Sequence, residues 1–163
     1  MTSRPTTGNF TSQILLEHEQ ESRFDVLTID IAVQVGNKAA AIAIARALPI
    51  TISVEFDGTE VFREALPGAE DAQLSWIHRK ANVVRMTGHS TMYERVRAEE
   101  LGIDWHEVNG VTDETHAIHG GGFPLALISG ELRGILLISG LPQVEDHLLA
   151  VEVLNSVLNL GSR

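Results

Sequence analysis

Between residues 28 and 48, apolar side chains fall at Ile31, Val35, Ala39 and Ile42, the spacing of one helix face, and Pro49 stops the run. The alanines clustered in its second half predict close packing against another surface. The period then switches to two. Thr51-Ile52-Ser53-Val54-Glu55-Phe56 alternates polar and apolar, Asp57-Gly58 supplies a two-residue turn, and Thr59–Ala65 returns as the partner strand. That turn pairs Val54 with Val61 and sets Glu55 opposite Glu60, an unfavourable meeting of like charges. Pro67-Gly68 breaks the chain, and residues 69–86 resume a helical stripe of Leu74, Ile77, Ala81 and Val84, with Arg79 and Lys80 read onto the other side. Past Gly88, Ser90 caps a helix carrying Met92, Val96 and Leu101, which Gly102 ends. Residues 103–115, holding Trp105 and His106, read as an irregular connection. The runs 124–128 and 132–138 are almost unbroken apolar residues around Ser129-Gly130, the pattern of central strands covered on both faces. A short helix opens the chain at Thr11 or Ser12, with Ile14, Leu15 and Phe24 as its apolar residues. A last helix begins near Pro142, with Glu145 and Asp146 in its first turn and Leu148, Val151 and Leu154 along it.

Strands returning as hairpins between terminal helices predict an α+β domain with an antiparallel sheet of four or five strands. A doubly wound nucleotide fold does not fit, because there a glycine turn opens a helix, whereas here the glycines open a strand. With 163 residues, 44% of them apolar, the chain is expected to form one domain over residues 11–163, burying roughly 70% of its unfolded surface. Residues 1–10 are expected to be a flexible segment, and their polarity fits neither a signal peptide nor a membrane span. The net charge of -10 argues against a nucleic-acid partner. The absence of cysteine excludes disulfides, iron–sulfur ligation and thiol chemistry, and accords with a cytoplasmic setting.

The densest chemistry lies in His116-Ala117-Ile118-His119-Gly120-Gly121-Gly122-Phe123-Pro124. Neutral imidazole ligates haem iron and transition metals, so His116 and His119 are the candidate ligands. On an extended strand residues three apart point to opposite faces, so the two converge on one metal only if the chain turns between or after them. Three glycines in a row let backbone come close to a ligand or to another chain. Trp76, with Arg79 and Lys80 one turn on, offers a ring and two cations to a flat acidic ligand, against the ordinary role of such residues in packing and solvation. Asp146 and His147 are neighbours on a helix and do not face each other, which favours His147 on a partly buried face. No serine stands in a nucleophile-elbow context.

Trp76-Ile77-His78-Arg79-Lys80-Ala81-Asn82-Val83-Val84, then His119-Gly120-Gly121-Gly122-Phe123-Pro124, then Ser139-Gly140-Leu141-Pro142-Gln143-Val144-Glu145-Asp146-His147 together resemble the haem-degrading-domain family of HbpS-like and GlcG-like proteins, in motif order. The resemblance implies a profilin-like or PAS-like fold, with an antiparallel sheet of about five strands flanked by helices. It also implies assembly into homo-oligomers, dimers or larger rings. Haem is the cofactor it brings forward, with His119 or His116 as axial ligand, Gly120, Gly121, Gly122 and Phe123 at the turn that receives the ring, and Arg79 and Lys80 as partners of the propionates. Two functional classes follow. One is an oligomeric small-ligand-binding or scaffold module with no chemistry of its own. The other binds haem or a related planar acidic cofactor and degrades or senses it, using His119 or His116. A content of 5% aromatic residues, poor in rings to stack on a haem, tilts the reading toward the first.

Overall fold

A computed structural model of the chain describes residues 7–161. Most helices begin where a side chain can take up free N–H groups. Thr11 accepts from the Ile14 N–H ahead of α1 (Ser12–Glu21), and Thr28 does the same for Ile31 ahead of α2 (Ile29–Ala45). The first two strands, β1 (Thr51–Phe56) and β2 (Thr59–Ala65), precede α3 (Ala72–Thr87), whose N-cap residue Asp71 makes no side-chain cap bond. Ser90 caps α4 (Thr91–Leu101), and Gly88 and Gly102 terminate α3 and α4 in the left-handed conformation. The stretch expected to be irregular contains α5 (Trp105–Asn109). The Asp104 carboxylate accepts from His106 and Glu107, and the Trp105 indole is buried, donating to Glu94 at 2.8 Å. Then follow β3 (Gly122–Ala126), β4 (Leu132–Ser139) and α6 (Gln143–Gly161).

The four strands form one antiparallel sheet in the order β2-β1-β4-β3. The count is four, the lower of the expected numbers; beyond β3 the chain adds only an isolated bridge between Phe24 and Leu127. Of the two strands expected to be central, β4 is, whereas β3 is an edge. Pro124 fits there because an edge strand does not need every N–H. Asp57-Gly58 makes the expected turn with both residues at positive φ, and Glu55 does stand opposite Glu60. A bulge then moves the pairing, so that Val54 faces Phe62 rather than Val61. Each glutamate has its own cation: Arg85 holds Glu55 at 2.7 Å and Arg63 holds Glu60 at 3.0 Å.

Helices α2 and α6 cover one face of the sheet, where Ile52, Val54, Phe123, Leu125, Leu136 and Ile138 meet Ala39, Ala43, Val153 and Leu154. The alanines of α2 therefore find their close-packed surface within the same chain. On the opposite face Ile77, Ala81 and Val84 of α3 cover Ile135 and Leu137. The stripe of α6 is turned from the expected one: Leu148 is 43% exposed, and Leu149, Ala150, Val153 and Leu154 point inward. Most of the segment expected to be flexible, residues 1–6, lies outside the described residues. From Thr7, which is fully buried, the chain is packed, with Phe10 edge-on to the rings of His18 and His147.

Candidate functional site

Counting along α3, Lys80 lies three residues after Ile77 and four before Val84, and so on the buried stripe rather than the outer side. It is 2% exposed. Its ammonium donates to the Ile138 carbonyl at 2.9 Å and to Asp146 Oδ2 at 3.4 Å, while Asp146 Oδ1 accepts the Leu141 N–H at 3.1 Å. Burial drives both groups of this pair toward neutrality: the amine is pushed down, and the carboxyl is pushed up to about 6 although Lys80 and the Leu141 N–H pull it back. The pair joins α3 to the start of α6 across the end of β4.

The glycine turn wraps this pair. Gly121 has φ of +127°, and a Cβ there would meet the Ile138 carbonyl oxygen at 2.2 Å and Lys80 Nζ at 2.7 Å. The close approach expected of the glycines is thus to the chain's own backbone and to Lys80. The turn's N–H groups are used internally as well: Gly120 donates to Gln143 Oε1 and Gly122 to Thr91 Oγ1.

Beside the turn a cleft of about 350 Å³ opens between the N-terminal ends of α3 and α6, lined by Gln73, Trp76, Lys80, His119, Ser139 and Asp146 among others. His119 is half-buried, and its ring lies 4.5 Å from that of Trp76. Desolvation, with the charges of Arg95 and Lys80 adding to it, lowers its pKa to about 4, so the imidazole is neutral at pH 7. Neither ring nitrogen makes a hydrogen bond among the described residues. A neutral imidazole with free nitrogens beside a cleft can accept a proton, bond a ligand or coordinate a metal.

The structure brings His119 and Lys80 together with Trp76 and leaves the other candidates outside the cleft's lining. His116 turns away, its Nδ1 2.7 Å from Thr115 Oγ1 and its carbonyl 2.6 Å from His106 Nε2. Arg79 stacks 4.2 Å from the Trp76 ring centre and is tied to Asp113. Phe123 is core, packed toward α2 and α6. Among the described residues no group of three or more His, Cys, Asp or Glu is placed to hold a metal ion.

Sequence reasoning set His147 on a partly buried face but missed the pairings of Lys80 with Asp146 and of His18 with His147. His147 is fully buried, and its Nε2 lies 3.0 Å from His18 Nδ1. Its own Nδ1 has no partner, which favours the tautomer in which Nε2 carries the proton and donates to His18, since an unmatched lone pair costs less than an unmatched N–H.

A single four-stranded antiparallel sheet between helical layers, with a small polar cleft at the N-terminal ends of two helices, makes this an α+β fold. The chain belongs to the haem degrading protein HbpS-like family, whose model matches residues 27–155. It is 34% identical over 141 residues to a UPF0303 protein of Streptomyces avermitilis, covering 85% of this chain and 86% of that protein. Among solved structures it resembles the Ybr137w protein, with a TM-score of 0.85 and 26% identity over 94% of this chain and 91% of that one. It shares its fold with PduOC, solved in complex with haem, at a TM-score of 0.62 and 21% identity over 78% of this chain and 94% of that one.

Proposed function

We propose that the protein is a self-associating binding module whose ligand enters the Trp76–His119 cleft, with the His119 imidazole as its polar anchor and the Lys80–Asp146 pair as a fixed base. The observation that carries this reading is the His119 ring: neutral, half-buried, free of hydrogen bonds and facing a cleft. The ligand class that fits is compact and acidic. Arg95, Lys80 and Arg79 together outweigh Asp113 in their effect on the His119 proton, and the N-terminal ends of α3 and α6 add their positive dipole ends to a lining that also holds Glu70. A reducing cytoplasm is the setting in which we place it, in keeping with a chain that has no cysteine.

Haem is the second reading, favoured by the family to which the chain belongs and by the haem complex of PduOC. His119 then serves as the axial ligand. A cleft of about 350 Å³ lies at the small end of ligand sites, so a macrocycle would rest across its mouth. His116, turned onto Thr115, does not join it.

Two titrations separate these readings. Nicotinate, a small planar carboxylate, is expected to shift the His119 ring resonances saturably in histidine-labelled protein. Haemin is expected to give a saturable Soret shift with one site per chain only if His119 coordinates iron. In that case His119→Ala changes the spectrum itself, and His116→Ala has a smaller effect. If neither probe saturates, or if wild type and both variants respond alike, the cleft is not a binding site and a scaffold role remains.

A further inference from the structure

Exposed apolar side chains stand at several places on the surface, and three of them gather around the link between α1 and α2. Val26, 63% exposed, and Ile29, 55%, stand where the chain passes from α1 to α2. Ile128, 60% exposed, is tied to the same link by the bond from its N–H to the Phe24 carbonyl at 2.9 Å. Beside them runs a groove of about 850 Å³ between this link, the outer side of α2 and the last turns of α6, with Phe24, Ile31, Val157 and Leu158 in its walls. Protruding apolar side chains next to an apolar hollow are the features of a surface that is covered when the protein is assembled.

The charges in the groove indicate by what. Glu21, Arg23, Asp25 and Lys38 all line it, and none of their side chains makes a salt bridge or hydrogen bond among the described residues. An anionic ligand meets Glu21 and Asp25 there, and a cationic one meets Arg23 and Lys38. A second copy of the same surface, turned by a twofold axis, sets the acids of one chain against the cations of the other and satisfies both. We infer that this groove is an isologous interface between two copies of the chain, in which Val26 and Ile128 of each enter the hollow of the other. The inference rests on the self-association proposed above and names its surface.

Sedimentation velocity at micromolar concentration tests it with two charge variants, Arg23→Glu with Lys38→Glu, and Glu21→Lys with Asp25→Lys. Circular dichroism and thermal melts confirm that each is folded. Each variant alone makes the surface single-signed and is expected to weaken association at least tenfold. Mixed in equal amounts, the two are expected to associate again, because the acidic surface of one now meets the basic surface of the other. Val26→Asp with Ile128→Asp is expected to dissociate the protein without rescue. If the wild type assembles and both charge variants assemble equally well, the interface lies elsewhere while self-association stands. A wild type that is monomeric at 17.8 kDa removes both. Variants that dissociate but fail to recombine overturn the charge pairing on which the assignment rests.

Discussion

At Gly121 two constraints meet that usually occur apart. Its φ of +127° is closed to L side chains, and the space where a Cβ would sit is filled by a backbone carbonyl that cannot swing away. Gly122 has an ordinary φ, and its Cβ space is filled by side chains instead, Thr91 Cγ2 at 2.9 Å and Val84 Cγ2 at 3.1 Å. Gly121→Ala is expected to cost well over 1 kcal/mol, and Gly122→Ala about 1–3 kcal/mol through overpacking. Both should appear as lowered melting temperatures, and an unchanged melt at both positions would show that the turn tolerates a side chain. The same local geometry bears on Lys80. Lys80→Met leaves Asp146 buried without its partner, an arrangement that typically costs about 3–5 kcal/mol. Asp146 can escape by binding a proton, because its folded pKa already lies above the ordinary aspartate value. A raised folded pKa gives stability that is present at low pH and lost as pH rises through it. Lys80→Met should therefore be nearer to wild-type stability at pH 5 than at pH 8, and a deficit independent of pH would mean that the pair is not a buried charge pair.

At the scale of elements, what the sequence made legible and what it hid divide along contact distance. The stripes of α2 and α3, the Asp57-Gly58 hairpin and the apolar strands β3 and β4 all follow from neighbours a few residues apart, where periodicity has something to act on. Lys80 was misread because a lysine on an apolar stripe makes sense only with its partner, and Asp146 stands on another helix far along the chain. His18 and His147 are farther apart still, and α5 is too short to show a period. Of the site, His119 and Lys80 were found, while Asp146 and the internal use of the glycine N–H groups were not. The like-charged Glu55–Glu60 pairing was legible, but its remedy was not, because Arg85 comes from α3 on the facing layer. Glu55 is nearly buried and Arg85 only partly so, so Arg85→Gln is expected to cost about 1 kcal/mol after allowance for solvent screening. Arg63→Gln, at an exposed pair, should change the melt far less. Equal losses from the two changes would show that the hairpin does not depend on the α3 contact.

For the molecule as a whole, acid is the condition that separates the buried histidines from the carboxyl-linked groups. His147 has its pKa lowered to about 3, by burial first and then by the charge of His18, and His119 is lowered to about 4. His18 and His116 are also lowered, chiefly by desolvation. A lowered folded pKa gives stability that is complete above the unfolded value near 6.5 and lost as pH falls through the folded one. Two groups work the other way. His89 is raised by its hydrogen bond to Glu19, and Asp146 is raised by burial, so both gain relative stability on acidification. His147 should dominate, because its ring is fully buried against Phe10, His18 and Phe123, away from bulk solvent. Protonating it also disturbs Phe10, which packs edge-on against both imidazoles. The melting temperature of wild type is thus expected to fall between pH 7 and pH 4.5. His147→Gln should melt lower than wild type at pH 8 but with a shallower slope toward acid, and His89→Gln should show a steeper slope. Melts across this range in matched ionic strength decide the matter: if His147→Gln keeps the wild-type slope, the buried imidazole is not the source of the acid sensitivity, and if His89→Gln is shallower, the sign assigned to the Glu19–His89 pair is reversed.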